Sequence, residues 1–150
     1  MKKPHTKPRV CLTASGGGHL TQLMKLEEAW RQYDKFYVTT TQEVREELER
    51  HGKVYVVGEC NREMPLRTLW VLVSCIRIAL KERPDVVIST GAAPACLFCI
   101  VARILGARIV WVDSIANIHD ISMSGRIIKP LADMMLVQWP EVAEKHKSVE

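Results

Sequence analysis

The chain has 150 residues, 47% hydrophobic and 25% charged, a composition ordinary for one soluble globular domain, with no second domain expected. Its net charge of +4, from 21 Lys and Arg against 17 Asp and Glu, comes without a block of like charges, which excludes a nucleic-acid-binding tail or a disordered arm. Five cysteines (Cys11, Cys60, Cys75, Cys96 and Cys99) are odd in number and mostly sit in apolar segments, so reduced, buried thiols and a cytosolic compartment are expected and a disulfide scaffold is not.

The start, Met1-Lys2-Lys3-Pro4-His5, is basic but runs into a strand rather than an apolar leader segment, so no signal peptide is expected. A strand is predicted over Arg9–Ala14, then the turn Ser15-Gly16-Gly17-Gly18-His19 and a helix over His19–Gln32. A strand at Phe36–Thr40, a helix at Glu43–His51 and a strand at Val54–Val57 follow. The next helix, Leu66–Lys81, stops at Glu82-Arg83-Pro84. A strand at Asp85–Ser89 runs into a second glycine turn, Thr90-Gly91-Ala92-Ala93-Pro94, and a helix at Ala93–Leu105. Strands at Arg108–Val112 and Met134–Gln138 flank a short helix at Ser124–Leu131. Continuously apolar runs such as Val86-Val87-Ile88 and Ile109-Val110-Trp111-Val112 suit strands covered on both faces. The pattern predicts a doubly wound α/β domain with a mostly parallel, Rossmann-like sheet.

In the usual strand order, 3-2-1-4-5-6, strands one and four are neighbours whose connections leave in opposite directions, and ligands bind beyond the strand ends at that switch point. Both glycine turns would converge there. Turns nearly free of side chains let backbone N–H groups and the positive ends of helix dipoles approach an anion, so a phosphate site is expected at Ser15 to Gly18 and Thr90 to Ala93. His19 at the mouth of that crevice is a candidate general base or phosphate donor, or a helix-capping residue. Asp113, with Ser114 and Asn117 after strand five, is a candidate to orient or deprotonate an acceptor hydroxyl, or a turn cap. A dinucleotide fingerprint is weak, because Thr21 stands where a third Gly or Ala belongs and strand two ends Val38-Thr39-Thr40-Thr41 without an acid. No Gly-Lys-Ser/Thr follows the glycines, which excludes a Walker A loop. His119-Asp120 has no nucleophile motif beside it, and Cys96-x-x-Cys99 lies in a helix pattern without a second ligand pair, as core packing would.

Along Leu66–Lys81, helical spacing predicts a core stripe of Leu66, Leu69, Val73, Ile76 and Leu80 and an opposite face of Arg67, Trp70, Ser74, Arg77 and Lys81. The apolar run from Leu69 to Leu80 is short of the ~20 residues a bilayer requires, and Arg77 interrupts it. Arg67, Trp70, Arg77 and Lys81 are instead expected to rest on an anionic membrane surface, the alternatives being the solvated basic edge of a sheet-covering helix or a buried subunit contact.

The segments Ser15-Gly-Gly-Gly-His-Leu-Thr-Gln-Leu, Arg83-Pro-Asp-Val-Val-Ile-Ser-Thr-Gly91, Lys129-Pro-Leu-Ala-Asp133 and Val137-Gln-Trp-Pro-Glu141 resemble the PssD/CpsF-type exopolysaccharide proteins. These are bacterial relatives of asparagine-linked-glycosylation protein fourteen, and the chain is more distantly similar to the N-terminal half of the MurG transferase. The resemblance implies the acceptor- and membrane-binding half of a GT-B glycosyltransferase, peripheral on the cytoplasmic face of the cell membrane. It implies a polyprenyl-diphosphate-linked sugar as acceptor and a UDP-sugar, UDP-GlcNAc or a close relative, as donor. That donor would be bound mainly by a separate PssE-like partner chain, with no metal and no cofactor required. It assigns Gly16, Gly17, Gly18 and His19 to the first glycine motif, Gly91 to Pro94 to the second, and Asp113-Ser114 to a position where relatives often carry Glu-Ser. Two other readings remain at this point: a non-catalytic membrane adaptor that recruits the catalytic subunit, and a dinucleotide-dependent oxidoreductase.

Overall fold

A computed structural model describes residues 7–147, 149 and 150; the Met1–His5 stretch read above for a leader lies outside the described residues. Six strands, β1 (Arg9–Ala14), β2 (Asp34–Thr39), β3 (Lys53–Val56), β4 (Val86–Gly91), β5 (Arg108–Val112) and β6 (Met134–Leu136), form one sheet. Its order is β3-β2-β1-β4-β5-β6 with every neighbouring pair parallel. The expected doubly wound, Rossmann-like sheet is therefore present, with its switch point between β1 and β4. At the β6 edge, Glu150 N–H donates to Met135 O and Val137 N–H donates to Glu150 O, so the chain's last residue extends the ladder.

Alternate residues of the central strands feed two cores, as the period of two requires. Val10, Leu12 and Ala14 of β1 pack with Leu20, Leu23, Trp30, Tyr37 and Leu48 beneath α1 (Gly18–Lys25) and α2 (Arg45–Glu49). Cys11, Phe36, Val87, Ile109 and Trp111 pack on the opposite face beneath α3 (Pro65–Glu82), α4 (Ala93–Ile104) and α5 (Met123–Ile128). The predicted helix over His19–Gln32 is split. α1 ends at Lys25, and i→i+3 bonds from Leu26 N–H to Leu23 O and Ala29 N–H to Leu26 O tighten the chain into a 3₁₀ turn, Glu27–Trp30, that buries the Trp30 indole. A further helix, α6 (Pro140–Lys145), was not expected; Pro140 at its first turn is the signal that marks it.

The predicted core stripe of α3 is overturned. Val71, Cys75, Ile78, Ala79 and Glu82 face the sheet, whereas Leu66 is 83% and Trp70 64% exposed and Leu69, Ile76 and Leu80 are also exposed. Short side chains at Val71, Cys75 and Ala79 let the helix sit against the core beside α4. The bulkier aliphatics join Arg67, Trp70, Arg77 and Lys81 on the outer face, so that face is apolar as well as basic. Arg83 ends the helix in a left-handed conformation, φ 46°, just ahead of Pro84.

At the N-terminal edge of the sheet, the buried Glu82 carboxylate gathers three elements. It accepts hydrogen bonds from Arg9 of β1 and from Lys53 (2.7 Å) and Tyr55 of β3. Burial pushes the Glu82 carboxyl up, but the hydrogen bonds from Lys53 and Tyr55, joined by the Arg9 and Lys53 charges, outweigh it and hold the group below the usual range. A carboxyl so lowered contributes stability that is present above its unfolded value and lost as pH falls through its folded one. Glu82→Gln is expected to cost about 1–3 kcal/mol at pH 7 by leaving these donors without a charge. Urea unfolding from pH 7 down to pH 3 checks this: the wild-type advantage over the variant shrinks in the acid range, and an advantage that holds at all pH values would contradict the assignment.

Candidate functional site

The β1–β4 ladder holds its register from Val10↔Val86 to Thr13↔Ser89 and then slips, pairing Ala14 with Gly91. Thr90 is the residue left over. A bulge of this kind turns its residue out of the ladder, and the hydroxyl and the carbonyl of Thr90 both meet His19. The Thr90 hydroxyl donates to His19 O at 2.5 Å, and His19 Nδ1 lies 2.9 Å from Thr90 O. A carbonyl only accepts, so Nδ1 carries the proton and Nε2 is left to accept one. Thr90 thus fixes both the position of the α1 N-terminus and the tautomer of His19.

Gly91 completes this joint. A Cβ there would sit 2.9 Å from both Cε1 and Nδ1 of His19, and its φ of +123° disfavours any side chain. In the first turn, Gly16 N–H donates to Thr40 Oγ1, and a Cβ on Gly16 would approach Thr41 Oγ1 to 2.8 Å. Ala92 stands at φ 90°, ψ 157°, a region almost confined to glycine; such strain costs on the order of 1–3 kcal/mol and is held here by the structure on either side. Neither α1 nor α4 has a side-chain N-cap or an acid in its first turn. The open N–H groups of both helix starts and the positive ends of their dipoles are therefore available to an anion at the switch point.

Asp113 leaves β5 into the same edge but does different work. It is 2% exposed, and its carboxylate accepts four hydrogen bonds. Trp111 Nε1 (3.1 Å) and Ser122 Oγ (2.6 Å) donate to Oδ1, while Asn117 Nδ2 (3.1 Å) and Ser122 N–H (2.7 Å) donate to Oδ2. Two carboxylate oxygens offer about four acceptor sites, so all are taken and the loop over 113–122 is tied down by them. Asn117 is committed to that role through its amide nitrogen, and Ser114 Oγ accepts from Ala116 N–H at 3.2 Å. Ser15 is buried at the end of β1.

Two glutamines that sequence reasoning quoted without assigning them tie the loops to α1. Gln22, one turn beyond His19, accepts from Gln138 Nε2 at 2.8 Å and from Ile115 N–H at 3.4 Å. Gln138 also donates to Asp113 O at 3.0 Å, and Trp139 Nε1 donates to Ile115 O at 2.8 Å. Four strand ends are thereby joined around one crevice. The α3 residues Arg67, Trp70, Arg77 and Lys81 lie apart from it, on the outer surface, with Arg67 and Trp70 toward the crevice end of that helix. Among the described residues no helix is long and apolar enough to cross a membrane. All five cysteines are free and buried, and burial pushes their thiols up, Cys75 to about 12 and Cys96 to about 11, so none is a ready nucleophile.

Gly91→Ala should displace the imidazole and lower stability by about 1–3 kcal/mol, read as a fall in Tm together with a change in the His19 imidazole nitrogen resonances. Asp113→Asn replaces an acceptor by an amide that faces donors, and should lower stability by a similar ~1–3 kcal/mol. Unchanged urea unfolding of that variant would contradict an organising role for the carboxylate.

The structure resembles sugar-nucleotide enzymes of one fold type. MurG from Acinetobacter baumannii superposes with a TM-score of 0.75 at 17% identity, covering 90% of this chain and 43% of that one. The UDP-GlcNAc 2-epimerase of Methanocaldococcus jannaschii gives 0.70 at 15% identity, covering 95% and 44%. The chain thus spans less than half of each, and at these identities the likeness is one of fold. In sequence it is similar to the UDP-N-acetylglucosamine transferase subunits ALG14 of Yarrowia lipolytica, 24% identical over 97% of this chain and 80% of that protein, and of Mus musculus, 26% identical over 97% and 82%. The Schizosaccharomyces pombe subunit is 34% identical over 57% of this chain and 45% of its own length. The profile of the family described as "Oligosaccharide biosynthesis protein Alg14 like" matches residues 10–150, and the chain belongs to that family.

Proposed function

We propose that this chain is the acceptor-binding, membrane-associated subunit of a two-component transferase that moves GlcNAc from UDP-GlcNAc to a polyprenyl-diphosphate-linked sugar. The observation that carries the reading is the pair of uncapped helix starts at the β1/β4 switch point, joined by the His19–Thr90 clamp. Open N–H groups on two helices suit the two phosphates of such an acceptor. Relatives named as UDP-N-acetylglucosamine transferase subunits support the donor assignment.

In this reading His19 Nε2 takes the proton of the acceptor hydroxyl as its oxygen attacks the anomeric carbon. The bond from that carbon to the UDP oxygen breaks, and UDP leaves with the electron pair. Asp113 is not the base: with four donors on its carboxylate, it holds the loop that presents the Ser114 hydroxyl and the Asn117 carbonyl to the acceptor sugar. UDP-GlcNAc is held chiefly by a PssE-like donor-binding partner chain, and the reaction takes place without a cofactor. The order of the motifs along the chain supports a likeness to PssD/CpsF-type proteins of exopolysaccharide synthesis. The outer face of α3, with Arg67, Trp70, Arg77 and Lys81 beside exposed leucines, would seat it on the inner surface of the cell membrane.

The test is transfer from UDP-GlcNAc to a polyprenyl-diphosphate acceptor by the chain with its partner, with and without His19→Ala. Loss of roughly 10²–10⁴-fold in kcat with the complex still assembled is expected; full activity in the variant would reduce this chain to an adaptor. For the membrane face, Arg77→Gln is expected to weaken binding to anionic vesicles about fivefold, on the order of 1 kcal/mol per cation, and equal flotation of both proteins would count against it.

A further inference from the structure

Between the start of α3, one face of α4 and α5 lies an open groove of about 630 Å³, a size typical of sites for small organic ligands. Its floor is Ala93, Cys96, Leu97 and Ile100, residues spaced i, i+3, i+4 and i+7 along α4. They run about 10 Å from the second glycine turn, at 1.5 Å per residue. Pro65 forms one wall, and Met123 and Ile127 of α5 the other.

Several polar groups of the lining are already engaged. Thr68 Oγ1 donates to Asn61 O and Met64 O, Asn61 Oδ1 accepts from Glu63 N–H, and Ser124 O accepts from the Cys96 thiol. The walls thus offer hydrocarbon rather than hydrogen bonds. One cation stands at the rim: Arg62, whose guanidinium rests on the Met123 sulfur and, among the described residues, pairs with no carboxylate. One end of the groove begins at Ala93, where an anion would meet the α4 N-terminus, and Pro65 and Thr68 place its α3 side next to the exposed Leu66 and Leu69.

We infer that this groove receives the first isoprene units of the acceptor lipid, with the diphosphate at the adjoining turns and Arg62 balancing its charge; this rests on the diphosphate reading above. The floor on α4, Ala93, Cys96, Leu97 and Ile100, and the walls at Pro65, Met123 and Ile127 are hydrocarbon or sulfur and suit an apolar chain better than a polar ligand. A chain that is anionic at one end and hydrocarbon beyond it matches both the groove and its ends. The remaining isoprenoid would leave past Leu66 and Leu69 toward the surface that bears Trp70.

Calorimetric titration of the full chain with farnesyl diphosphate, inorganic diphosphate and farnesol tests this, in the wild type and in two variants. Leu97→Glu places a charge on the floor, and Ile127→Trp fills the mouth from an exposed position of α5. Farnesyl diphosphate should bind about fiftyfold more tightly than inorganic diphosphate, the order that burying roughly 100 Å² of hydrocarbon supplies. Both variants should bring it down to the inorganic level, with inorganic diphosphate binding unchanged. Farnesyl diphosphate binding no tighter than inorganic diphosphate, or unaffected by both variants, overturns the groove and leaves the diphosphate reading standing. Farnesol binding as tightly as the diphosphate, and lost in both variants, keeps the groove and sinks the diphosphate reading. Binding of none of the three overturns both.

Discussion

The pairing of β1 with β4, and its one-residue slip at the end, is the constraint on which the rest of the site depends. Adjacency of these strands brings two turns that are 75 residues apart, Gly16 and Gly91, to one edge. The slip frees Thr90 from the ladder, so its carbonyl and hydroxyl can hold His19. That closeness in turn requires Gly91 to lack a side chain and leaves Ala92 strained. Remove the slip and the imidazole loses its partner, its tautomer and its place at the helix start.

Around that joint the protein separates stiffness from openness. Asp113 spends all its acceptor capacity on Trp111, Asn117 and Ser122, and Gln22 and Gln138 bridge α1 to the loops after β5 and β6. The two helix starts are left without side-chain caps, so N–H groups there stay open toward the crevice. On the outside, α3 turns its larger aliphatics away from the sheet. Leu66, Leu69 and Trp70 each forgo part of the roughly 1.5–3 kcal/mol that full burial of such a side chain supplies.

Much of this was legible in the sequence. The strands were, because runs such as Val86–Ile88 are apolar without alternation and so demand cover on both faces. The switch point followed from the order of strands and turns. The orientation of α3 was not legible: apolar residues cover most of its circumference, and the sheet selected the face with the smaller side chains, Cys75 and Ala79, over the leucines that periodicity favoured. The role of Asp113 was hidden because its main partner, Ser122, lies nine residues on, beyond the turn it was read as capping. Gln22 and Gln138 stand 116 residues apart, so only their presence inside two of the quoted motifs could have flagged them. Thr90 was assigned to the phosphate turn by position, while its actual partner, the His19 ring, depends on a bulge that no spacing encodes.

In the proposed function, one diphosphate is held by both turns at once. The most direct measurement is an amide-resolved NMR titration of the full chain with geranyl diphosphate. A diphosphate bridging the turns should shift the amides of Gly16 to His19 and of Gly91 to Ala93 most, together, and saturate with a single dissociation constant. Shifts confined to one of the two turns, or centred on residues away from the β1/β4 edge, would contradict it.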